Sequence, residues 1–334
     1  MLLDKIQIEE IHWELTNHCN LDCVHCYLAK DARPELNTEK ILSIIDELWD
    51  AGALLLTFSG GEPLLRKDFS QIYQYAYERG FLLHVFTNGT RISPEIISLF
   101  TNFPPQRVEI TLNGINENTF EKVTARAGSF SHCMEGIRAL NTAGIPLALK
   151  TNGMKINYEE VLEIKKFAQS LPNTLYKFDT AVMPRRNHDK APVQYRLNSF
   201  EISKIYENDY EMKEQIEKEC EPSSFQAPKE RKVFQCSAAN SRYHISPWGD
   251  LHPCHTVRDI KVSLLNTSFH DAAATLQKIT SSLYYPEESK CGSCKLFSKC
   301  DSCPGLAHLE QEKALEPAPY HCEVAHDIFS GNSL

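Results

Sequence analysis

Short apolar runs alternate with longer amphipathic stretches through roughly the first half of the chain. The runs Ile11–Leu15, Leu54–Phe58, Leu82–Phe86, Arg107–Leu112, Pro146–Thr151 and Tyr176–Asp179 predict strands. Between them apolar positions recur at helical spacing, and helices are predicted over 38–51, 68–79, 93–101, 128–143 and 157–170. In the first of these, Ile41, Ile44, Ile45 and Leu48 fall at i, i+3, i+4 and i+7, one face of a helix. Thr38 is its candidate N-cap. Strand, helix, strand repeated at about 30 residues predicts βα units around a parallel sheet. Six such strands make either an incomplete barrel or an open doubly wound sheet, and the period alone does not choose.

The period fails near residue 180. Pro184–His188 reads as a loop. Residues 201–221 carry eight carboxylates against three lysines and read as a solvated helix. Pro222 to Pro228 reads as a linker. The last hundred residues lack long apolar runs, and a small segment of that kind needs metal to be stable. These shifts divide the chain into a core at 1–184, a bridging region at 185–235 and a cysteine-rich domain at 236–334.

Composition narrows the classes. The net charge of −9 gives no electrostatic reason to bind nucleic acid or an anionic membrane. No window approaches the ~18 apolar residues of a membrane span. Asp4, Glu9 and Glu10 stand where a signal peptide needs an apolar stretch, so a cytoplasmic protein is expected. In that compartment thiols stay reduced, and the clustered cysteines, ten of the twelve, read as metal ligands rather than disulfides.

Cys19, Cys23 and Cys26 follow the first strand with spacing C-x3-C-x2-C. Three thiolates on one loop can grip three corners of an iron–sulfur cubane and leave the fourth iron open. A zinc site completed by His18 or His25 is the competing reading, and an inert loop a third. Ser59-Gly60-Gly61-Glu62-Pro63 follows the second strand. Its two glycines let the backbone approach a ligand, and Glu62 offers a carboxylate to an ammonium group; read alone, it is a tight turn.

Together these loops resemble those of the radical S-adenosylmethionine (radical SAM) superfamily, over roughly residues 8–180. The resemblance implies a partial (β/α)6 TIM-like barrel, α/β in class. It implies a [4Fe-4S] cluster on Cys19, Cys23 and Cys26, whose open iron chelates S-adenosylmethionine, and a contact of Ser59, Gly60, Gly61 and Glu62 with the amino group of that cofactor. It places His25 where an aromatic often faces the adenine. Ile110-Thr111-Leu112-Asn113-Gly114 resembles a fourth-strand segment that bonds the ribose, with Thr111 or Asn113 as the contact.

The tail carries Cys236-x12-Gly249-x4-Cys254, then Cys291-x2-Cys294-x5-Cys300-x2-Cys303, then Cys322. Behind such a core this order resembles the SPASM extension, which binds one or two auxiliary clusters; the interval before Cys303 is one residue shorter than usual. The resemblance implies that Cys291, Cys294, Cys300 and Cys322 close one cluster and that Cys236, Cys254 and Cys303 hold the other. Cys220 is a candidate fourth ligand, and Cys133 a buried small hydrophobe. His255, directly after Cys254, stands where related sulfatase-maturing enzymes place an aspartate base; a histidine there could take a proton near neutral pH.

The expected activity is an oxidoreductase that cleaves S-adenosylmethionine reductively to a 5′-deoxyadenosyl radical and abstracts hydrogen from a peptide or protein. An external electron donor of flavodoxin or ferredoxin type is implied. The first strand begins near residue 11, so a peptide-recognition domain is expected to be a separate protein or absent. Tailoring of a small molecule, such as a haem precursor or a peptide-derived cofactor, is the alternative. A non-catalytic zinc or iron–sulfur protein is the alternative of another class, and Gly60-Gly61-Glu62 argues against it.

Overall fold

The structure, a computed structural model, describes residues 8–219, 231–297, 300 and 302–329. Cys220 and the expected linker at 222–228 lie outside the described residues. Six strands run parallel in sequential order: β1 (Glu10–Thr16), β2 (Leu55–Gly60), β3 (Leu82–Thr87), β4 (Arg107–Thr111), β5 (Leu147–Asn152) and β6 (Thr174–Asp179). A doubly wound sheet reverses its order partway, so the barrel-type reading is the one realised. Among the described residues β6 is an edge, and the barrel is open.

Helices α1 (Thr38–Asp50), α2 (Phe69–Arg79), α3 (Pro94–Asn102), α4 (Glu117–Thr124), α5 (Ser129–Thr142) and α6 (Val161–Ser170) link the strands. The expected face of α1 is buried at Ile41, Ile44, Ile45 and Leu48. Its cap is Asn37, not Thr38. The Asn37 side chain accepts from the Lys40 amide at 2.9 Å, while Thr38 donates its hydroxyl to Asp68 at 2.7 Å. Helix α4 was not expected, because its eight residues are too short and too polar to show a period.

The acidic stretch is corrected from one solvated helix to two packed ones, α7 (Ser199–Glu207) and α8 (Tyr210–Glu219). Ile202, Ile205 and Met212 are buried with Val161, Leu197 and Ile328. Their carboxylates hid an apolar face that only tertiary packing reveals.

The tail begins with β7 (Arg231–Lys232), β8 (Arg242–Ile245), β9 (Asp250–His252) and β10 (Val262–Ser263). Strand β8 pairs parallel with β1, and β9 and β10 follow antiparallel, giving the order β10-β9-β8-β1-β2-β3-β4-β5-β6. Helix α9 (Phe269–Ser281) packs on α1 and buries Phe269, Ala272 and Leu276 in the barrel core. Residues up to 281 therefore share a buried cluster with the barrel. Beyond them β11 (Tyr284–Tyr285) pairs with β7, and α10 (Lys290–Ser293), α11 (Pro304–Gln311) and α12 (Pro319–Phe329) bury small clusters of their own or pack on α7. Among the described residues no helix is long and apolar enough to cross a membrane.

Strand β1 shows how the barrel makes room for a site. Ile11, Trp13 and Leu15 are buried in the core, and the alternation sends Glu10, His12 and Glu14 to the opposite face. The register sets His12 beside both Thr57 and His244, and Glu14 beside Ser59. Barrel interiors of this kind are ordinarily filled by branched apolar side chains. Here the interior is polar and encloses a cavity.

Candidate active site

The cavity measures about 1230 Å³ and lies in the barrel lumen and at the carboxyl ends of its strands. Cys19, Cys23 and Cys26 line it, as do Cys236 and Cys254 from the tail. The chain thus brings together thiols more than 200 residues apart in sequence. None of these five forms a disulfide.

The first cysteine loop is held from several sides. Glu35 closes its base by accepting from the Thr16 hydroxyl at 2.9 Å and the Asn17 amide at 2.6 Å. The amides of Asp22 and Val24 donate to the carbonyls of Thr124 and Val123, so the unexpected helix α4 anchors its middle. Burial pushes the thiols of Cys23 and Cys26 up, and in Cys23 its two cysteine neighbours push further. Thiols crowded and desolvated in this way favour a bound cation over three bare thiolates.

Gly60 and Gly61 line the cavity, and they also lie against the cysteine loop. A Cβ on Gly60 would stand 2.4 Å from the Thr16 carbonyl oxygen, and one on Gly61 2.3 Å from that of His18. The Gly61 amide donates to the Thr16 carbonyl at 2.7 Å and the Glu62 amide to that of His18 at 2.8 Å. The glycines let this turn lie directly on the cysteine loop. Gly61→Ala is expected to lower the unfolding free energy of the apo-protein by roughly 1–3 kcal/mol, as overpacking against fixed backbone does. Urea denaturation reads this, and an unchanged midpoint would show that the two loops do not bear on each other.

Glu62 is fully buried at the strand end. It accepts from the Thr87 hydroxyl at 2.8 Å and from the amides of Asn88 at 2.7 Å and Leu64 at 3.1 Å. Burial raises its pKa to about 7 against the pull of those donors. In this arrangement Glu62 fixes the Thr87–Asn88 turn, and it is Asn88 that reaches the cavity and the Cys19 sulfur, at 3.8 Å.

His25, Thr111 and Asn113 all line the cavity. Asn113 Nδ2 lies 3.3 Å from His25 Nε2, and Asn113 Oδ1 accepts from the Asn152 amide at 2.8 Å. His25 Nδ1 is buried without a hydrogen-bond partner. Burial lowers the pKa of this ring to about 4, so it is neutral. A partnerless polar atom beside three thiols suits a polar ligand set against them. His18 turns outward toward Glu35. Among the described residues no three His, Cys, Asp or Glu side chains converge on a single metal ion; a cubane would take each thiolate on a different iron.

The far wall holds a group of residues of which the motifs revealed only Ser59. Ser59 Oγ lies 2.5 Å from His12 Nε2, His12 Nδ1 3.2 Å from His244 Nδ1, and His244 Nε2 3.6 Å from Glu14. Burial keeps both imidazoles neutral; it lowers His12 to about 3. Burial would raise Glu14, but Arg186 and His244 outweigh it and hold the carboxyl well below its usual range. Arg186 grips Glu14 with two hydrogen bonds, at 2.6 and 2.7 Å. The alternation Glu10-Ile11-His12-Trp13-Glu14-Leu15 was the signal available for these residues.

His255 reaches this wall. Its ring stands edge-on to His12, 6.0 Å between centroids, and 5.7 Å from Tyr27. Its Nδ1 is 3.4 Å from Cys254 Sγ; burial opposes the shift, yet His255 draws that thiol down to about 6. Thr256 Oγ1 sits 3.6 Å from Cys254 Sγ and 3.8 Å from Cys303 Sγ, which ties those two cysteines together. Cys291, Cys294 and Cys322 form a second neighbourhood, where burial first and then mutual repulsion raise the thiols of Cys291 and Cys322. Burial raises the Tyr285 phenol, and Cys291, Cys303 and Cys300 nearby raise it further. Cys133 is buried in α5, as expected.

Comparison with known proteins agrees with this geometry. The Radical SAM superfamily profile matches residues 13–168. The AdoMet-dependent heme synthase of Methanosarcina barkeri (strain Fusaro / DSM 804) is 29% identical over 332 residues, 93% of this chain and 95% of that protein. The antilisterial bacteriocin subtilosin biosynthesis protein AlbA of Bacillus subtilis (strain 168) is 26% identical over 264 residues, 78% of this chain and 57% of that protein. Among solved structures, Streptococcus suis SuiB bound to S-adenosylmethionine superposes with a TM-score of 0.73 at 15% identity, covering 95% of this chain and 75% of that one, a likeness of fold.

Proposed function

Because this chain belongs to the radical SAM superfamily and is an enzyme of that chemistry, we propose that it oxidises a peptide or protein segment held in the barrel lumen. Cys19, Cys23 and Cys26 hold the [4Fe-4S] cluster. With S-adenosylmethionine bound, that cluster supplies hydrogen-atom abstraction from an unactivated C–H bond. Gly60 and Gly61 set the loop beside it. His25 and Asn113 orient the adenosine, with Thr111 within reach of the ribose. Cys236, Cys254 and Cys303 would hold one auxiliary cluster, and Cys291, Cys294, Cys300 and Cys322 the other, and such clusters would supply an acceptor for the electron left on the substrate. His255 accepts the proton lost with it.

The observation that carries the substrate class is the charge of the lining. Six carboxylates, Glu10, Asp22, Asp31, Glu109, Asp179 and Asp189, face four Lys and Arg side chains. Most of these charges are paired: Lys150 with Asp179 at 3.1 Å, Arg185 with Asp189, Arg242 with Glu10 at 3.6 Å and, through cations outside the lining, Asp31 with Arg33 at 2.8 Å and Glu109 with Lys177 at 2.5 Å. A lining whose charges are mostly paired suits a neutral or weakly basic peptide segment and offers a polyanion no cluster of free cations. The full-length similarity to a haem synthase favours a second reading, in which the substrate is an iron porphyrin carrying propionates.

Anaerobic turnover separates the two. Reconstituted enzyme, dithionite and S-adenosylmethionine are incubated with Fe-coproporphyrin III or with a library of basic peptides, and products are read by mass spectrometry. Peptides that lose hydrogen while 5′-deoxyadenosine accumulates are the expected result. Turnover of the porphyrin alone would overturn the peptide assignment.

A further inference from the structure

A second depression, of about 440 Å³, opens on the other side of the cysteine loop. Its walls include Asn20, Leu21 and Thr90, and they carry Arg91, Arg126 and His132 but no carboxylate. In a chain of net charge −9 this is a local reversal of sign. It is also the reverse of the lumen, where carboxylates outnumber Lys and Arg. Arg91, Arg126 and His132 are all exposed.

The loop is a thin partition between the two spaces. Cys19 lines the lumen, Asn20 lines the outer depression, and Leu21 lines both. Cys19 is itself exposed. The two sides are joined by short contacts. Asn88 Nδ2 donates to Asn20 Oδ1 at 3.0 Å and lies 3.8 Å from Cys19 Sγ. Asn20 Nδ2 donates to the Thr90 hydroxyl at 2.8 Å. A redox centre resting in the depression would be separated from the Cys19 sulfur by one or two residues of packed, hydrogen-bonded chain.

We propose that this depression is the docking surface for the electron donor, a small acidic protein carrying a low-potential one-electron centre. The inference rests on the assignment of the first cluster to Cys19, Cys23 and Cys26. One electron leaves the donor, whose centre is oxidised by one unit, and the cluster on this loop is reduced by one unit. No proton or bond changes hands in that step. Arg91 and Arg126 supply steering and orientation. They hold the donor on the outer face, so the lumen stays free for cofactor and substrate while the electron arrives.

The test uses the anaerobically reconstituted full chain and a recombinant flavodoxin as donor. Binding is titrated at low and at high salt, and cleavage of S-adenosylmethionine is followed with reduced flavodoxin or with dithionite. In the doubly charge-reversed Arg91→Glu/Arg126→Glu variant, flavodoxin binding is expected to weaken by about tenfold or more and to lose most of its salt dependence. Cleavage driven by flavodoxin falls in proportion, whereas cleavage driven by dithionite stays within about twofold of wild type, because that small reductant needs no docking surface. Lys278→Glu, on the exposed face of α9, is the control and leaves both unchanged. Equal affinity and equal flavodoxin-driven rates in the double variant would overturn the docking site. Wild type that binds flavodoxin yet cleaves nothing even with dithionite would overturn the cluster assignment instead, and the proposal with it.

Discussion

Replacing Cys19, Cys23 and Cys26 together by alanine is expected to abolish reductive cleavage of S-adenosylmethionine and to remove about four irons per chain. The size of the effect follows from where the three thiols stand. All line one cavity, and the loop that bears them is fixed at its base by Glu35, at its middle by α4 and along its flank by the Gly60–Gly61 turn. The loop therefore survives loss of the sulfurs, and what disappears is the cluster. Wild type should contain about twelve irons and the variant about eight, if both tail neighbourhoods load fully. Iron and sulfide are counted on anaerobically reconstituted protein, and 5′-deoxyadenosine is measured in the same samples. Eight falling to four would leave one tail cluster and remove Cys303 from the ligand set. Iron content equal to wild type would show that the first loop binds none.

The second large effect is on stability. Glu14 and Arg186 are buried together, at 1% and 10% side-chain exposure, and joined by two hydrogen bonds. Arg186→Ala leaves the carboxylate in the barrel wall with no guanidinium hydrogen-bonded to it: the neutral His244 and the Tyr27 hydroxyl stand beside it, and Arg258 acts on it only through space. Breaking such a pair from one side costs about 3–5 kcal/mol, because an uncompensated charge stays buried. Glu14→Gln/Arg186→Met, which removes both charges, is expected to regain most of that loss. Urea denaturation of the apo-proteins measures it. A single variant as stable as wild type would mean that water reaches Glu14. Arg186 also donates to the His255 carbonyl at 3.1 Å, and its guanidinium lies 4.8 Å from the Tyr27 ring centroid. The same substitution thus releases the segment carrying His255 from the segment following Cys26.

Much of this was legible along the chain because it depended on local pattern. The period of the βα units is set by burial of one helix face and one strand face, and each expected strand formed with ends shifted by a residue or two. The cysteine spacings pointed to their groups because thiols on one short loop have little freedom to separate. What local pattern does not encode is the orientation of a side chain that has two polar destinations. The hydrogen bonds of Glu62 to the Thr87–Asn88 turn join segments some 25 residues apart, and no local pattern announces them. The contact of Gly60 and Gly61 with the cysteine loop likewise spans more than forty residues. Asn37 and Thr38 are both capping residues, and Asp68, thirty residues away, decides between them. The short strand β8 has too few residues to show an alternation, so its place beside β1 emerges only from the assembled sheet.

That place has a consequence for how the protein is made. Strand β1 lies inside the sheet, with β2 on one side and β8 on the other. Its first partner ends at Gly60, but its second ends at Ile245. At ribosomal speeds of about 5–20 residues per second, the interval between them lasts on the order of 10–40 s. Throughout that time β1 offers an unpaired edge to any other nascent strand. Cys236 and Cys254 flank β8 in the chain, so the strand that seals this edge delivers two tail thiols to the lumen in the same event. Closing of the sheet and the arrival of the first tail thiols at the lumen are thus one step in biosynthesis, with Cys303 following later, and iron offered before that step would meet only the sulfurs of the first loop.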